Sequence, residues 1–226
     1  KVITVLSAVF QTHWQGYKQF ETGKVTAVDM AKIYPVKESE NSDSVLVTVG
    51  TKPDYRESPI ETTKQTLFAC ARKRIWLSSP YFLPNKSTRN LLIAAQQAGV
   101  EVRILTTSDR SDKKPVYYAS YEVYGSLLKA GIQIFEYQPS MIHAKMLIID
   151  DDWANMGSAN LDYRSFLHND ELDIVTNSVV LFDHVEQAFN RGFAESQQIG
   201  LRQWKKRSWL KHRVLGNIVR LIQWQL

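Results

Sequence analysis

A histidine, a lysine, an aspartate and a Gly-Ser-x-Asn turn lie within one short stretch of this chain. Their reactive members are His143, Lys145, Asp150, Ser158 and Asn160. A neutral imidazole can attack phosphorus and form a covalent intermediate, which divides one difficult displacement into two easier ones. Charge on the phosphoryl oxygens must then be held by fixed cations and donors, and the lysine, the asparagine amide and the serine hydroxyl can supply them. The stretch therefore predicts a site for phosphoryl transfer.

The local pattern predicts how the first two of these residues are positioned. Ile142 to Ile149 is predicted to form a strand, and alternate side chains of a strand share a face, so His143 and Lys145 should point the same way. The apolar residues 146–149 would bury the strand as it leaves the site. Because this strand is otherwise apolar, we expect a buried and paired constellation rather than an exposed polar face.

The spacing of these residues, H-x-K-x4-D-x6-G-S-x-N, resembles the signature of the phospholipase D superfamily. This resemblance implies that His143 is a nucleophile that becomes a phosphohistidine. It also implies that no metal ion or other cofactor is needed, because Lys145 and Asn160 replace a divalent ion. The motif aspartate of the family braces the fold away from the phosphate, which implies the same position for Asp150.

A carboxylate downstream completes the set that the resemblance implies. Residues 165–171 resemble the family segment in which a carboxylate holds the nucleophilic histidine, and Glu171 is the match. A carboxylate on the second ring nitrogen fixes the tautomer and stabilises the imidazolium. Asp170 and Asp173 are alternatives, and of these Asp173 shares the strand face of Glu171. The remaining histidines have no such setting, and we interpret all of them as structural or surface residues: His13, His168, His184 and His212.

The family builds its active site from two copies of the motif, and this chain carries one. The resemblance therefore implies a second phospholipase D-like half as a partner, either upstream of Lys1 in the same polypeptide or on another subunit. Residues 9–14 resemble the helix that follows the first motif in two-motif members, which favours the upstream position. We expect the chain to be inactive unless it is paired with a second motif.

Stretches around the motif resemble those of bacterial cardiolipin synthases, among them residues 71–84, 127–137 and 161–166. The resemblance implies transfer of a phosphatidyl group between phospholipids such as phosphatidylglycerol, with Tyr81 and Phe82 in contact with substrate. Two alternatives remain open. One is a homodimeric phosphodiesterase or nuclease of the same superfamily that uses water as acceptor, and the other is a membrane-binding or partner-binding half without activity.

Composition and periodicity predict an α/β fold with a mixed, mostly buried sheet flanked by helices on both faces. The chain has 226 residues and 44% apolar content, which is enough for one good core. We expect residues 1–43 to end a preceding half, residues 44–200 to form the catalytic half-domain and residues 201–226 to form a tail. Cys70, the single cysteine, is predicted to be a small core residue within a helix.

The tail is basic and rich in tryptophan. Residues 201–226 contain seven Lys or Arg and no acidic residue, whereas the whole chain has a net charge of +5, so the rest carries 5 − 7 = −2. A basic amphipathic helix of this kind suits an anionic membrane surface. Together with the resemblance to bacterial cardiolipin synthases, it implies peripheral binding to the cytoplasmic face of the bacterial inner membrane. In the alternative interpretation, the helix packs its apolar stripe on its own domain. Nucleic-acid binding is a weaker interpretation, because the basic residues are confined to the tail.

Overall fold

One mixed eight-stranded sheet organises the part of the chain that the computed structural model describes, which is residues 44–50 and 58–221. The predicted segment 1–43, which includes the helix-like residues 9–14, lies outside this part. The strands are β1 (Val45–Gly50), β2 (Arg74–Ser78), β3 (Glu101–Thr107), β4 (Gln133–Tyr137), β5 (Met146–Ile149), β6 (Trp153–Gly157), β7 (Glu171–Thr176) and β8 (Ser196–Ile199). Their order across the sheet is β1-β7-β6-β5-β2-β3-β4-β8.

Helices cover both faces of this sheet. They are α1 (Pro59–Cys70), α2 (Lys86–Gln97), α3 (Lys114–Lys129), α4 (Tyr163–Leu167), α5 (Val179–Ala194), α6 (Leu201–Lys205), a π-helical segment (Trp209–Leu215) and α7 (Gly216–Leu221). Strands β2, β3 and β4 are parallel and are connected by α2 and α3, whereas the other neighbouring pairs are antiparallel. The α/β fold with a mixed sheet between helical layers, predicted from the sequence, is confirmed.

Two apolar cores lie on opposite faces of the sheet. The larger contains buried side chains of α1, α2 and α3 together with Ile75, Leu77 and Ile104 from the strands. The smaller lies under α5, where Phe189 packs edge-on against Trp76 at 6.1 Å between ring centroids. Burial on both faces explains why the central strands are rich in apolar residues without strict alternation.

Local sequence signals account for the ends of the helices. Ser58 caps α1 by accepting a hydrogen bond from the Glu61 backbone at 3.2 Å, and Asn85 caps α2 in the same way. Beyond the ends of α2 and α3, Gly99 and Gly131 adopt φ angles of +94° and +93°, which favour glycine.

One face of α1 is buried through residues four apart, namely Ile60, Lys64 and Phe68. Cys70 lies off this stripe and is exposed, so the expectation of a core cysteine was wrong. Two residues beyond Phe68, a side chain is about 200° around the helix axis and therefore faces away from the sheet.

The tail packs along α3. The Trp204 indole donates to the Tyr121 carbonyl oxygen at 2.7 Å, and Arg207 forms a largely buried ion pair with Glu122. A Cβ on Gly125 would lie 2.2 Å from the Trp204 ring, so this approach depends on glycine. These contacts support the interpretation in which the tail packs on its own domain.

A second set of tail side chains faces away from α3. Its large apolar members are exposed, and they are Trp209, Leu210, Leu215, Ile218 and Leu221. Exposed basic residues lie among them, namely Arg202, Lys205, Lys206, Lys211 and Arg213. Within residues 44–50 and 58–221, no helix is long and apolar enough to cross a membrane.

Candidate active site

Five of the predicted site residues come together at one edge of the sheet: His143, Lys145, Ser158, Asn160 and Glu171. Ser78 at the end of β2 pairs with Met146 at the start of β5, and Met146 in turn pairs with Met156 of β6. Gly157 at the end of β6 pairs with Asp173 near the start of β7. Because β5 runs antiparallel to both of its neighbours, the segment before it meets the turn after β6 at this edge.

His143 and Lys145 are in direct contact just before β5. The Lys145 Nζ lies 2.9 Å from Nδ1 and 3.3 Å from Nε2 of His143, and it also donates to the His143 carbonyl oxygen at 2.9 Å. A neutral imidazole has one ring nitrogen with a lone pair, which can accept from the ammonium and, once that bond is released, can attack phosphorus.

The strand predicted from Ile142 begins only at Met146, and His143 is exposed, so the expected buried strand position was wrong. Strand β2 ends at Ser78, which removes the ladder partner for the preceding segment. The Ser78 hydroxyl takes its place by donating to the Ala144 carbonyl oxygen at 3.0 Å. The segment is thereby fixed while the histidine side chain remains open to solvent.

The charge of Lys145 is balanced by several neighbours. Burial lowers the pKa of its ammonium, while Glu171 and Asp162 oppose this effect and the charge of Lys64 adds to it, with a lowered pKa as the result. Two carboxylates and a second lysine are therefore close enough to act electrostatically on Lys145.

Ser158 joins the turn after β6 to the start of β7. Its hydroxyl donates to the Glu171 carboxylate and accepts from the Leu172 backbone at 3.0 Å. Asn169 donates to the other oxygen of Glu171 at 3.0 Å. The Glu171 carboxylate, which was expected to hold His143, is thus hydrogen-bonded to Ser158 and Asn169 in this structure. Its charge also opposes the burial that lowers the pKa of Lys145.

Asn160 follows in the same turn. Its backbone donates to the Ser165 hydroxyl at 3.1 Å, and the next residue, Leu161, donates to the Ser79 hydroxyl at 2.9 Å. The Asn160 Oδ1 is buried without a hydrogen-bond partner among the described residues. A buried amide oxygen without a partner is costly, which is typical of groups that take part in function.

Asp150 lies at the opposite end of β5. Its carboxylate accepts from the backbone amides of Arg72, Lys73 and Arg74 at 2.7–3.1 Å. Burial raises the pKa of this carboxyl, but the three backbone hydrogen bonds outweigh that effect and the pKa is lowered. Its φ of +55° also sets the turn between β5 and β6. Asp150 therefore braces the sheet away from His143.

Tyr81 and Phe82 have different environments. The Tyr81 hydroxyl donates to Asp112 at 2.8 Å, Lys113 lies over its ring at 5.0 Å, and burial followed by the contact with Asp112 raises its pKa to about 12. Phe82 is fully buried in the core, and its backbone bridges to Leu161. A substrate cannot contact the Phe82 ring there, because core side chains already surround it.

Sequence reasoning missed two buried charged residues beneath the turn. Lys64 of α1 lies 2.9 Å from Asp173 of β7, with 7% and 1% of their side chains exposed. Asp173 had been considered only as an alternative to Glu171, and Lys64 had not been considered. A lysine four residues from both Ile60 and Phe68, within a buried helical stripe, is the signal that could have identified it.

The arrangement combines an imidazole, a cation and a polar turn held by hydrogen bonds. The imidazole of His143 is accessible, and Lys145 and the turn bring positive charge and donors to the same edge. Within the described ranges, no group of three or more His, Cys, Asp or Glu side chains is placed to hold a metal ion.

Comparison with known proteins places this geometry in a family. Residues 65–192 match the family described as cardiolipin synthase, PLD-like domain. Cardiolipin synthase 1 of Bacillus cereus is 34% identical over 189 residues, which are 84% of this chain and 37% of the relative. The cardiolipin synthase of Halalkalibacterium halodurans is 29% identical over 98% of this chain and 43% of its own length. The chain thus spans about two fifths of these relatives.

Solved structures share the fold at low identity. A phosphatidylserine synthase of Haemophilus influenzae superposes with a TM-score of 0.66 and 14% identity, over 82% of this chain and 48% of that one. The phospholipase D family member Nuc of Salmonella typhimurium superposes with a TM-score of 0.59 and 19% identity, over 70% of this chain and 99% of that one. The family match covers more than half of the residues, and the chain belongs to the phospholipase D-like domain family of the cardiolipin synthases.

Proposed function

We propose that this chain forms one half of a phosphatidyltransferase active site, which transfers a phosphatidyl group between phospholipids as a cardiolipin synthase does. The observation that carries the proposal is the contact of Lys145 with the accessible ring of His143 beside the Ser158–Asn160 turn. The similarity to cardiolipin synthases over 84–98% of the chain favours lipids as substrates.

In the first step, a ring nitrogen of His143 attacks the phosphorus of the donor phospholipid. A P–N bond forms, the P–O bond to the headgroup alcohol breaks, and the alcohol leaves after taking up a proton. An anionic phosphoryl oxygen attracts an ammonium more strongly than a neutral imidazole does, so Lys145 moves its hydrogen bond from His143 to the substrate. Lys145 and the amide of Asn160 then stabilise the charge that develops on the phosphoryl oxygens.

In the second step, a hydroxyl of the acceptor phospholipid loses its proton and attacks the phosphorus. The new P–O bond replaces the P–N bond, and the imidazole of His143 is released unchanged. Both steps need a proton donor or acceptor on the side of the leaving or entering oxygen. We assign this role to a second motif outside this chain, on an upstream half or another subunit.

Two carboxylates have supporting roles in this proposal. Glu171 stabilises the imidazolium character that develops on His143 and orients Ser158, to which it is bonded. Asp150 fixes the far end of β5 through Arg72, Lys73 and Arg74, and it takes no part in the chemistry. Tyr81, the substrate-binding candidate whose side chain is not fully buried, lies beside Asp112 and Lys113.

Lipid substrates require access to a bilayer, and we propose that the outer face of the tail provides it. Trp209 and Leu210 are 65% and 66% exposed and lie among lysines and arginines, a composition suited to an anionic membrane surface. The tail packs on Tyr118, about one and a half helical turns from Lys113 beside Tyr81. Peripheral binding to the inner membrane would therefore bring the lipid headgroups towards the catalytic edge.

The test is transfer of labelled phosphatidylglycerol by the protein assembled with its second half. Formation of a diphosphatidyl product with release of glycerol, lost in His143→Ala, is the expected result. Release of free phosphatidic acid as the main product would instead favour the water-using phosphodiesterase. Cleavage of nucleic acid without lipid turnover would favour the nuclease alternative and contradict the proposal.

A further inference from the structure

The buried pair Lys64 and Asp173 binds both backbone groups of a single residue in the catalytic turn. The Lys64 ammonium donates to the Ala159 carbonyl oxygen at 3.0 Å, and Asp173 Oδ1 accepts from the Ala159 amide at 3.3 Å. The two side chains also bind each other, with Nζ and Oδ2 2.9 Å apart. Ala159 is thus held by two hydrogen bonds, and the ion pair between Lys64 and Asp173 joins the two side chains that make them.

The position of this clamp within the turn is informative. Ala159 lies between Ser158, which donates to Glu171, and Asn160, the turn residue proposed to bind the phosphoryl group. Its own side chain is buried, so the turn is fixed on the side that faces the core. A shift of the Ala159 peptide groups would move both flanking residues together.

Gly157 shows that the turn and the pair are fitted closely to each other. A Cβ on Gly157 would lie 2.1 Å from Asp173 Oδ1 and 2.3 Å from the Leu172 carbonyl oxygen. The carboxylate therefore occupies the space that any other residue at 157 would need. The absence of a side chain at Gly157 thus lets the turn approach β7 closely.

Stability alone gives a poor account of such a pair. Removing two charges from water is costly, and a buried ion pair is often no more stable than apolar residues of similar size. Ile60 and Phe68, which lie four residues to either side of Lys64 on α1, show that this helix face otherwise packs with apolar side chains. The charged pair is better explained by the contacts that it makes with Ala159.

We propose that Lys64 and Asp173 are positioning residues, which clamp Ala159 so that Ser158 and Asn160 are held in register with His143 and Lys145. This inference rests on the proposed function, because it takes from it the role of Asn160 at the phosphoryl group and of Ser158 as the partner of Glu171. The charge of Lys64 also acts on Lys145, whose pKa is lowered first by burial and further by this second lysine.

The experiment compares Lys64→Met with Arg74→Met in the assembled enzyme. Each variant removes a cation that pairs with a carboxylate, but Arg74 pairs with Glu186 and Asp151 at the other end of β2. We expect Lys64→Met to lower kcat by about 10- to 100-fold, since a small misplacement of catalytic groups has effects of this size. KM should change by less than about threefold, and Arg74→Met should retain kcat within about twofold.

Hydrogen exchange supplies a readout that does not depend on the reaction. The Ala159 amide should exchange faster in Lys64→Met than in the wild type or in Arg74→Met. Hydrolysis of a synthetic phosphodiester, bis(4-nitrophenyl) phosphate, is measured alongside lipid transfer. Failure of the wild type to transfer lipid would contradict the proposed function, whereas exchange and diester hydrolysis would still decide the role of the clamp.

A double variant covers the case in which Lys64→Met fails to fold. Lys64→Met with Asp173→Asn removes both charges and leaves an amide oxygen that can accept from Ala159. The double variant should fold, and its Ala159 amide should exchange faster than that of the wild type. Its kcat should lie between those of the wild type and Lys64→Met. If Lys64→Met is unfolded, the expected result is a kcat of the double variant below that of the wild type. Wild-type kcat in a folded Lys64→Met or in the double variant would overturn the proposal.

Discussion

The Lys145 ammonium lies 2.9 Å from Nδ1 of His143, so the cation and the nucleophile of the proposed reaction are hydrogen-bonded to each other before substrate arrives. Binding of a phosphodiester should separate them, because the ammonium gains an anionic acceptor. The contact thus has a role in the free protein, where it orients the ring, and a different one during catalysis.

Replacement of His143 should abolish transfer without unfolding the chain. The side chain is exposed and its ring contacts Lys145, so His143→Asn should change the free energy of unfolding by less than about 0.5 kcal/mol. Labelled phosphatidyl transfer and thermal unfolding measure the two effects. His184→Asn is the matched control, because His184 is an exposed histidine on α5. Turnover close to wild type in His143→Asn would contradict the assignment of the nucleophile.

Lys145 should impose an alkaline limit on the rate. Its pKa is lowered, first by burial, so the catalytic cation is lost as pH rises through a value below that of an ordinary lysine. The rate should therefore fall with rising pH earlier than expected for a free lysine. In Lys145→Arg this limb should disappear, although the maximal rate will be lower because the guanidinium geometry differs. An identical alkaline limb in Lys145→Arg would assign it to another group.

Ser158 and Glu171 should act as one unit. Because the hydroxyl donates to the carboxylate, Ser158→Ala and Glu171→Gln each disturb the same hydrogen bond. Their effects on kcat should be clearly non-additive, with a coupling energy of about 1 kcal/mol or more in a double-mutant cycle. Additive effects would mean that Glu171 acts on catalysis independently of the turn.

The outer face of the tail should bind anionic vesicles. Trp209→Ser with Leu210→Ser should weaken binding to phosphatidylglycerol-rich vesicles by about 10- to 100-fold, because two exposed apolar side chains are lost. Val179→Ser with Val180→Ser on α5 is the control, since these residues are 69% and 65% exposed but lie outside the tail.

Two further observations test the same membrane surface. Binding should weaken as salt is raised, and tryptophan emission should shift to shorter wavelength when vesicles are added. Equal binding by both double variants would contradict the assignment of the tail face to the membrane.

Glu136 should make stability depend on pH. Burial raises the pKa of this carboxyl to about 7, while hydrogen bonds from Tyr117 and Tyr124 lower it and the charge of Asp109 adds to the rise. The folded state therefore holds a proton that the unfolded state has released, and stability falls as pH rises through about 7. Glu136→Gln should remove this slope, which is worth on the order of 3 kcal/mol, in denaturant unfolding at pH 5 and pH 8. An unchanged slope would contradict the raised pKa.

Regular elements with a strong local pattern were predicted closely. The apolar, β-branched pattern of Val100 to Thr106 predicts a strand, which is Glu101–Thr107, and Gly131 predicts the end of a helix, which ends at Lys129. Strand β8 was not predicted, because Ser196–Ile199 carries one apolar residue and exists through its pairing with β4. Such a strand is set by tertiary contacts that no short sequence window contains.

The site was predictable in its residue types but less so in its contacts. The spacing from His143 to Asn160 placed the reactive groups at one edge, and Asp150 was expected to lie off the phosphate. The start of β5, the exposure of His143 and the bond from Ser158 to Glu171 depend on where β2 ends and on how β7 pairs. The clamp of Lys64 on Ala159 joins residues 95 positions apart, a distance over which periodicity carries no information.

The pairing of β1 with β7 also bears on how the protein is made. Val45 pairs with Thr176 and Gly50 with Glu171, so the edge strand β1 can pair only after more than a hundred further residues have been translated. Contacts this distant in sequence slow folding, because a long loop must close before they form. The Ser158–Asn160 turn lies between β6 and β7, and it can therefore take shape only after most of the described chain has left the ribosome. A nascent chain stalled before Glu171 would contain His143 and Lys145 but would lack β7, on which the Ser158–Asn160 turn packs.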